Sequence, residues 1–216
     1  MASSVPTLLG RYAALFWDFD GVIKESVDVK TQAYVGLFQA FGPAVAARVR
    51  EHHERHGGMS RFAKIPLYLE WAQVTPTRAE TARYCELFSA SVLRAVIDSV
   101  WVRGAREYLE ANHVRQRFVV VTATPQNEIQ EILRELGIIS WFREVHGAPV
   151  GKGDAMASCL ARWKCRCEDA LLIGDSTSDY EAALATGVNF LLRRTDMNQS
   201  LQRTYPGPQC EDFVDG

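Results

Sequence analysis

Four aspartates follow two short apolar segments of the chain. Asp18 and Asp20 end the segment ALFWDFD, and Asp175 and Asp179 come after the segment ALLIG. In an extended segment, residues two apart face the same side, so the carboxylates of Asp18 and Asp20 are presented together. Clustered carboxylates repel one another unless a cation lies among them. Because oxygen ligands that also approach a phosphate group favour Mg²⁺, we expect a magnesium site.

A hydroxyl group and an ammonium group occupy comparable positions in the sequence. Thr122 ends the segment FVVVT and is followed by Ala123 and a helix start, where free N–H groups suit an anion. Lys152 lies between two glycines at the start of another helix. Ordinary alternatives stay open at this point, namely Thr122 or Asp179 as a helix cap and Lys152 as a solvated surface lysine.

Strands and helices alternate in the part of the chain that carries these residues. We predict strands over residues 13–18, 118–122, 144–147, 170–174 and 189–192. Helices are predicted over residues 105–112, 125–136, 154–163 and 178–186. This alternation indicates a parallel sheet covered by helices on both faces. Ligands of such sheets bind beyond the carboxyl ends of the strands, where the four aspartates, Thr122 and Lys152 would meet.

A long helical segment interrupts this pattern just after the first strand. Its apolar spacing predicts helices over Val29–Phe41, about Arg61–Ala72 and Thr77–Ile97, and a further helix that ends near His56. We therefore divide the chain into an α/β core, residues 1–25 and 102–216, and a helical cap, residues 26–101.

The motifs as a set resemble those of the haloacid dehalogenase superfamily. They occur in the order expected for that family: Asp18-Phe19-Asp20-Gly21, Thr122, Lys152, and Gly174-Asp175 with Asp179. Each motif is weak alone, but all four in order are specific. The resemblance is to the branch of C1-capped phosphatases and of enzymes similar to β-phosphoglucomutase. It implies a Rossmann-like parallel sheet with a helical C1-type cap inserted after the first strand.

The resemblance also implies the catalytic roles of the motif residues. Asp18 would attack phosphorus and form an aspartyl-phosphate, and Asp20 would protonate the leaving group and then activate water. Mg²⁺ would be held by Asp18 and Asp175 and by the backbone carbonyl of Asp20. Asp179 would either bind the ion directly or lie next to its ligands. The second carboxylate of the first motif fits phosphatases and phosphomutases, and argues against dehalogenases and phosphonate-cleaving relatives.

Substrate binding is implied for core and cap residues. In the core, the implied residues are Gly21, Thr122, Ala123 and Lys152, with Lys152 neutralising charge near Asp18. In the cap, the segment after Gly57-Gly58 carries Arg61 and Lys64, either of which would contact the leaving group, although a turn with surface cations is an equal alternative. By analogy of fold, the substrate would be a small phosphorylated metabolite, a sugar phosphate or a phosphoglycolate-like compound.

Two other functions remain open from the sequence. One is a phosphomutase of the β-phosphoglucomutase type, and the other is a non-catalytic binding module, which the complete acidic set argues against. A net charge of −2 and a pI of about 6.2 do not resemble the basic footprint of a nucleic-acid binder. The first ten residues lack a signal-peptide pattern and no segment is long enough to span a bilayer. We expect a cytoplasmic monomer or small homo-oligomer.

Overall fold

The computed structural model describes residues 4–214 and contains one parallel sheet. Its strands are β1 (Ala14–Trp17), β2 (Arg117–Pro125), β3 (Glu144–Ala148), β4 (Ala170–Gly174), β5 (Asn189–Arg193) and β6 (Gln209–Cys210). They are ordered β3-β2-β1-β4-β5-β6, and every neighbouring pair is parallel. Strand β1, which ends just before Asp18, therefore lies between β2, which contains Thr122, and β4, which ends just before Asp175.

The central strands are buried on both faces because successive side chains alternate between two apolar clusters. On β1, Leu15 and Trp17 join one cluster, and Ala14 and Phe16 join the other. The same alternation continues on β2 and β4. This burial explains why the strands appear in the sequence as short continuous apolar runs.

Ten α-helices surround the sheet in the part of the chain that the structure describes. Helix α1 is Val5–Leu9, and the four helices inserted after β1 are α2 (Val27–Phe38), α3 (Pro43–Arg55), α4 (Arg61–Trp71) and α5 (Arg78–Asp98). The remaining helices are α6 (Ala105–Asn112), α7 (Gln126–Glu135), α8 (Lys152–Trp163), α9 (Thr177–Thr186) and α10 (Gln199–Thr204). The predicted fold class, a Rossmann-like sheet with inserted helices, is confirmed.

The inserted helices share an apolar core with one face of the sheet. Tyr34 of α2 stacks on Phe88 of α5 with ring centroids 3.9 Å apart, and both belong to the cluster that contains Trp17 of β1. Burial of a side chain of this size contributes about 1.5–3 kcal/mol. The inserted helices are thus packed against the sheet domain, although the division at residues 26 and 101 stays a prediction.

The predicted and observed element boundaries differ in a few places. The first inserted helix ends at Phe38, and a 3₁₀ turn, Gln39–Phe41, follows before Gly42, whose φ of 98° an L side chain rarely adopts. Strand β2 continues to Pro125, but its regular pairing with β3 stops at Val121. Helices α1 and α10 and strand β6 have no counterpart among the predicted elements because all three are very short. Over residues 4–214, no helix has both the length and the apolar character needed to cross a bilayer.

Candidate active site

Asp18 is buried at the carboxyl end of β1 and has two polar partners. The backbone N–H of Phe19 donates to its Oδ1 at 2.7 Å, and Nζ of Lys152 lies 2.8 Å from its Oδ2. Because β1 is an inner strand of the sheet, Asp18 is almost entirely removed from solvent, and it lines the cavity described below.

Three aspartates from two strand ends meet at this point. Asp18, Asp175 and Asp179 each place a carboxylate oxygen within 4.8 Å of the others. Burial raises the pKa of Asp18 to about 7, and Asp179 and Asp20 act in the same direction while Lys152 lowers it. Burial likewise raises the pKa of Asp175 well above its ordinary value, and Asp18 and Asp179 add to that effect. The group therefore holds more negative charge than its one lysine balances.

A divalent cation fits this arrangement of ligands. All the candidate donor atoms are oxygens, which are the ligands that hard cations such as Mg²⁺ prefer. Burial first, and then the neighbouring carboxylates, raise the pKa values of Asp18 and Asp175, and a bound cation would oppose both effects. Residues 18 and 175 were expected to meet from the sequence, and the structure brings them together.

Lys152 is the first residue of α8 and is buried between two carboxylates. Its Nζ lies 2.8 Å from Asp18 and donates to Asp179 Oδ1 at 2.5 Å. Burial disfavours the charged form, but the carboxylates of Asp179 and Asp18 outweigh it and raise the pKa of Lys152. The alternative of a solvated surface lysine is therefore wrong.

Asp179 combines two contacts in one carboxylate. Its Oδ1 accepts from Lys152, whereas its Oδ2 accepts from the backbone N–H of Ser176 at 3.1 Å and from the Ser176 hydroxyl at 2.5 Å. The contact with the Ser176 N–H is one half of a capping box at the start of α9, and in the other half the Ser176 side chain accepts from the backbone N–H of Asp179. Helix capping is thus real for Asp179, and it coexists with a position in the acidic group.

Gly21 follows the first motif in a conformation that suits glycine. Its φ is 74°, and a Cβ atom at this position would overlap Oδ2 of Asp175. The missing side chain therefore lets the turn after β1 approach the carboxylate that follows β4. Close packing against Asp175 thus explains why a glycine occupies position 21. The role of Gly21 in substrate binding stays a prediction.

The Asp20 side chain faces a different set of partners from Asp18. Lys30 of α2 donates to Asp20 Oδ2 at 2.5 Å, Thr124 donates to the same oxygen at 3.2 Å, and Ser26 donates to Oδ1 at 2.6 Å. Burial alone would raise the pKa of Asp20, but Lys30, Ser26 and Thr124 together hold it below its ordinary value. The carboxylate is thus kept ionised.

Sequence reasoning missed Lys30, Thr124 and Ser26. Ser26 and Lys30 are four residues apart at the start of a helix, which is a weak signal that both face one side. Nothing in the sequence links them to Asp20. Lys30 also donates to the hydroxyl of Thr124 at 2.8 Å, so one inserted helix, β1 and β2 meet at a single buried polar junction.

A cavity of about 580 Å³ opens above the strand ends. Core residues Asp18, Thr122, Ala123 and Asp175 line it from one side. Residues of the inserted helices line the cavity from the opposite side, among them Tyr34, Arg61, Lys64 and Phe88. At its edge, Gly58 lies so close to Ser176 and Ser178 that a Cβ atom at Gly58 would overlap both hydroxyl groups. The inserted segment is therefore closed over the strand ends.

The two cap cations predicted to contact substrate both line this cavity and are both buried. Arg61 forms a bidentate pair with Glu128 of α7, with N–O distances of 2.8 and 2.5 Å, and also donates to Ser89. Lys64 contacts Nδ1 of His53 at 2.7 Å and the backbone carbonyl of Gly57 at 3.3 Å. The alternative of surface cations is wrong for both residues.

The parallel α/β sheet, with a buried acidic group beyond its inner strands, places the chain among the open α/β proteins that bind ligands at their strand ends. The family model described as haloacid dehalogenase-like hydrolase matches residues 15–192, which is most of the chain. The chain belongs to the haloacid dehalogenase-like hydrolases. The resemblance of its four motifs to this family is confirmed.

Relatives agree with this assignment. The chain is 22% identical to a 6-phosphogluconate phosphatase from Escherichia coli (strain K12) over 186 residues, which cover 83% of this chain and 81% of that protein. It superposes with a TM-score of 0.75 on CbbY from Rhodobacter sphaeroides in complex with xylulose-1,5-bisphosphate, at 16% identity, with 94% of this chain and 95% of CbbY covered. A predicted phosphoglycolate phosphatase from Haemophilus somnus superposes with a TM-score of 0.73 at 18% identity, with 94% and 95% coverage. At these identities the solved structures establish the fold.

Proposed function

We propose that this chain is a magnesium-dependent phosphatase that hydrolyses a small phosphate monoester through an aspartyl-phosphate on Asp18. The observation that carries the proposal is the setting of Asp18. Its carboxylate lines the cavity, lies 2.8 Å from Lys152, and has Asp175 and Asp179 beside it. Phosphoryl transfer depends mainly on positioning and on stabilisation of charge, and this setting supplies both.

The acidic group would bind the cation, and Lys152 would place a second positive charge near the phosphoryl group. Asp18, Asp175 and Asp179, together with the backbone carbonyl of Asp20, would hold Mg²⁺, which when bound neutralises charge on the phosphoryl oxygens. Lys152 lowers the pKa of Asp18 against the larger effect of burial, and it adds positive charge beside the phosphoryl group. The hydroxyl of Thr122 and the N–H of Ala123 bind the phosphoryl oxygens from the β2 side.

The reaction proceeds in two displacements at phosphorus. Asp20 is ionised in the free protein and first takes up a proton from solvent. An oxygen of Asp18 then attacks, a new P–O bond forms, and the bond to the leaving-group oxygen breaks while Asp20 gives that oxygen its proton. Asp20 then takes a proton from a water molecule, which attacks phosphorus, releases inorganic phosphate and restores the Asp18 carboxylate. Lys30 and Thr124 hold Asp20 in one orientation and favour the ionised form that the second displacement needs.

The cavity supports a small substrate. Its volume of about 580 Å³ suits a metabolite, and the inserted helices leave little room for a protein substrate. The named relatives act on or bind 6-phosphogluconate and xylulose-1,5-bisphosphate. We therefore propose a sugar phosphate or a phosphoglycolate-like compound, with the loop that precedes Arg61 and Lys64 on the leaving-group side. The cytoplasmic location and the monomeric or small homo-oligomeric state stay predictions.

A phosphate-release screen tests the proposal. The wild-type protein is incubated with a library of phosphorylated metabolites and Mg²⁺, and the Asp18→Asn variant serves as the control. We expect release from a few library members, its loss with EDTA, its return on adding Mg²⁺, and no release by the variant. Equal release by Asp18→Asn would refute the role of Asp18.

The same assay separates hydrolysis from phosphomutation. A phosphomutase returns the phosphoryl group to the substrate and yields an isomer in place of free phosphate. We expect inorganic phosphate to account for the substrate consumed. A protein that is inert towards the whole library and towards p-nitrophenyl phosphate would instead be a non-catalytic binding module.

A further inference from the structure

Three side chains of different chemistry meet between the edge strand β3 and helix α8. Glu144 and His146 are two residues apart on β3, so their side chains lie on the same face of the sheet. Cys159 of α8 lies against them. A carboxylate oxygen, an imidazole nitrogen and a thiol sulfur thus lie within 4.8 Å of one another. All three residues lie outside the cavity above Asp18.

The contacts of this group converge on one nitrogen of the imidazole. Oε2 of Glu144 lies 2.9 Å from Nε2 of His146, and Sγ of Cys159 lies 3.5 Å from the same nitrogen. A relay from a carboxylate through an imidazole to a nucleophile uses both ring nitrogens, one for each partner. The group is therefore not arranged to activate the thiol, whereas three donor atoms that face one point suit a bound ion.

The distances are those of a zinc site. Bonds of about 2.0–2.1 Å to nitrogen and about 2.3 Å to sulfur place these two atoms about 3.5 Å apart in a tetrahedral site. His146 and Cys159 already have this separation. The oxygen of Glu144 would have to move away from the nitrogen by only a few tenths of an ångström. Zn²⁺ binds thiolate, imidazole and carboxylate together, whereas Mg²⁺ prefers oxygen ligands alone.

Arg162 of α8 marks a place for a cation in this group. One terminal nitrogen of its guanidinium donates to Oε2 of Glu144 and, at 3.5 Å, to Sγ of Cys159. The Arg162 side chain is 48% exposed, and those of Glu144 and His146 are about a quarter exposed. Arg162 can therefore turn into solvent, and its departure uncovers the thiol on the side that is open to water.

We propose that Glu144, His146 and Cys159 bind one zinc ion, with a water molecule as the fourth ligand. The ion displaces the guanidinium of Arg162, and the thiol proton passes to solvent, so that a carboxylate and a thiolate balance the two positive charges. Before the ion binds, burial first and then Glu144 raise the pKa of Cys159 to about 12, and coordination to zinc removes this proton.

The zinc site lies on both sides of the chain segment that carries Lys152. Glu144 and His146 precede this residue on β3, and Cys159 follows it by two turns of α8, which begins at Lys152. A bound ion would join the strand to the helix and resist their movement relative to each other. Its role would be structural, and it does not depend on the proposed phosphatase function.

Calorimetric titration with zinc tests the site. The background is Asp175→Asn, which removes a ligand from the acidic group beside Asp18, where zinc could also bind. We expect one zinc ion per chain. Adding Cys159→Ala or His146→Gln should weaken binding by more than about 100-fold, because the loss of residues that only contact the ligands already costs about 10- to 100-fold. The control Cys165→Ala removes a half-buried thiol beyond the end of α8 and should bind zinc like the background.

Cobalt(II) identifies the ligand type. Co²⁺ and Zn²⁺ accept similar nitrogen and sulfur ligands. A thiolate bound to Co²⁺ gives a charge-transfer band in the near ultraviolet, which the all-oxygen acidic group cannot give. We expect this band in the wild type and in Cys165→Ala, its loss in Cys159→Ala, and its disappearance from the wild type when zinc is added. If Cys159→Ala does not fold, Cys159→Ser replaces it with the same expected loss.

Arg162→Gln should bind zinc about 2- to 5-fold more tightly than the background, because it removes the cation that the ion must displace. The control is Arg166→Gln, an exposed arginine that pairs with Asp169, and it should leave the Kd for zinc unchanged. Unchanged or weaker binding by Arg162→Gln would refute the displacement of Arg162.

Two results would overturn the zinc site as a whole. One is the absence of zinc binding by the Asp175→Asn background. The other is binding, or a cobalt band, that persists in full after Cys159 is replaced.

Discussion

Arg61 of α4 and Glu128 of α7 form a buried, bidentate ion pair that joins the inserted helices to the sheet domain. The two side chains are 3% and 8% exposed. Water therefore does not screen their attraction, and it does not solvate the charge that is left when one partner is removed. The guanidinium also lies over the ring of Phe88, 4.5 Å from its centroid. This pair fixes how the loop before Arg61 lies over the cavity.

Breaking this ion pair should destabilise the protein strongly. Glu128→Gln leaves Arg61 buried without a counter-charge, and we expect the free energy of unfolding to fall by about 3–5 kcal/mol. The double variant Arg61→Met/Glu128→Leu should recover most of that loss, because neither charge is then buried. Urea unfolding measures both.

An exposed pair of the same length provides the control. Arg55 and Glu51 are also 2.5 Å apart, but their side chains are 70% and 61% exposed. Glu51→Gln should change the free energy of unfolding by less than about 1 kcal/mol. Equal losses for Glu51→Gln and Glu128→Gln would contradict the view that burial decides the effect.

Mg²⁺ should stabilise the protein through the acidic group. At a concentration a hundredfold above its Kd, a ligand of the native state adds about 2.7 kcal/mol to the free energy of unfolding. We expect a rise in Tm for the wild type and none for Asp175→Asn. Without Mg²⁺, Asp175→Asn should melt no lower than the wild type, because the substitution removes like-charge repulsion from Asp18 and Asp179.

A carboxylate at the rim of the cavity tests whether this effect is specific. Asp196 lines the cavity but is exposed and lies outside the acidic group. Asp196→Asn should keep the full Tm response to Mg²⁺. A response that persists in Asp175→Asn would show that the ion binds elsewhere.

His53 should make stability depend on pH in the mildly acidic range. Burial lowers its pKa in the folded protein to about 2, whereas an unfolded histidine has a pKa of about 6.5. The unfolded state therefore binds more protons as the pH falls below about 6.5, and the stability present at higher pH is lost progressively. From pH 7 to pH 5 we expect His53 to remove about 2 kcal/mol of the free energy of unfolding.

The His53→Gln variant isolates this contribution. Its free energy of unfolding should fall less than that of the wild type between pH 7 and pH 5, by about 2 kcal/mol. Lys64 titrates near or above pH 7 in either state, so its effect lies mainly outside this interval. Parallel curves for the two proteins would mean that His53 is protonated in the folded state.

Gly21→Ala should damage both stability and the metal site. The positive φ costs a non-glycine residue about 1–2 kcal/mol, and the added Cβ forces the Asp175 carboxylate to move. We expect a lower Tm and a smaller response to Mg²⁺. Gly36→Ala, in the exposed face of α2 with no atom near the new Cβ, should instead stabilise the protein by about 0.5–1 kcal/mol. Gly21→Ala as stable as the wild type would refute the close approach.

The sequence determined the features that depend on local pattern. Apolar runs defined the central strands, helical spacing defined most of the helices, and the strand ends carried Asp18, Thr122 and Asp175. These features could be predicted because the periodicity of burial is visible in the order of neighbouring residues. Parallel strands also bring their carboxyl ends to one edge of the sheet, which brings the residues at those ends together. The two roles of Asp179, as a helix cap and as a member of the acidic group, could also be predicted, because both depend on its place just after β4 at the start of α9.

Only the tertiary structure decided which charges meet. Glu128 lies 67 residues from Arg61, and Thr124 lies 104 residues from Asp20, so no periodic pattern relates them. The pairing of Lys30 with Asp20 and the burial of Lys64 without a carboxylate also depend on how the inserted helices pack on the sheet. Whether a charge is compensated depends on distances in the folded protein, and the sequence gives only separations along the chain.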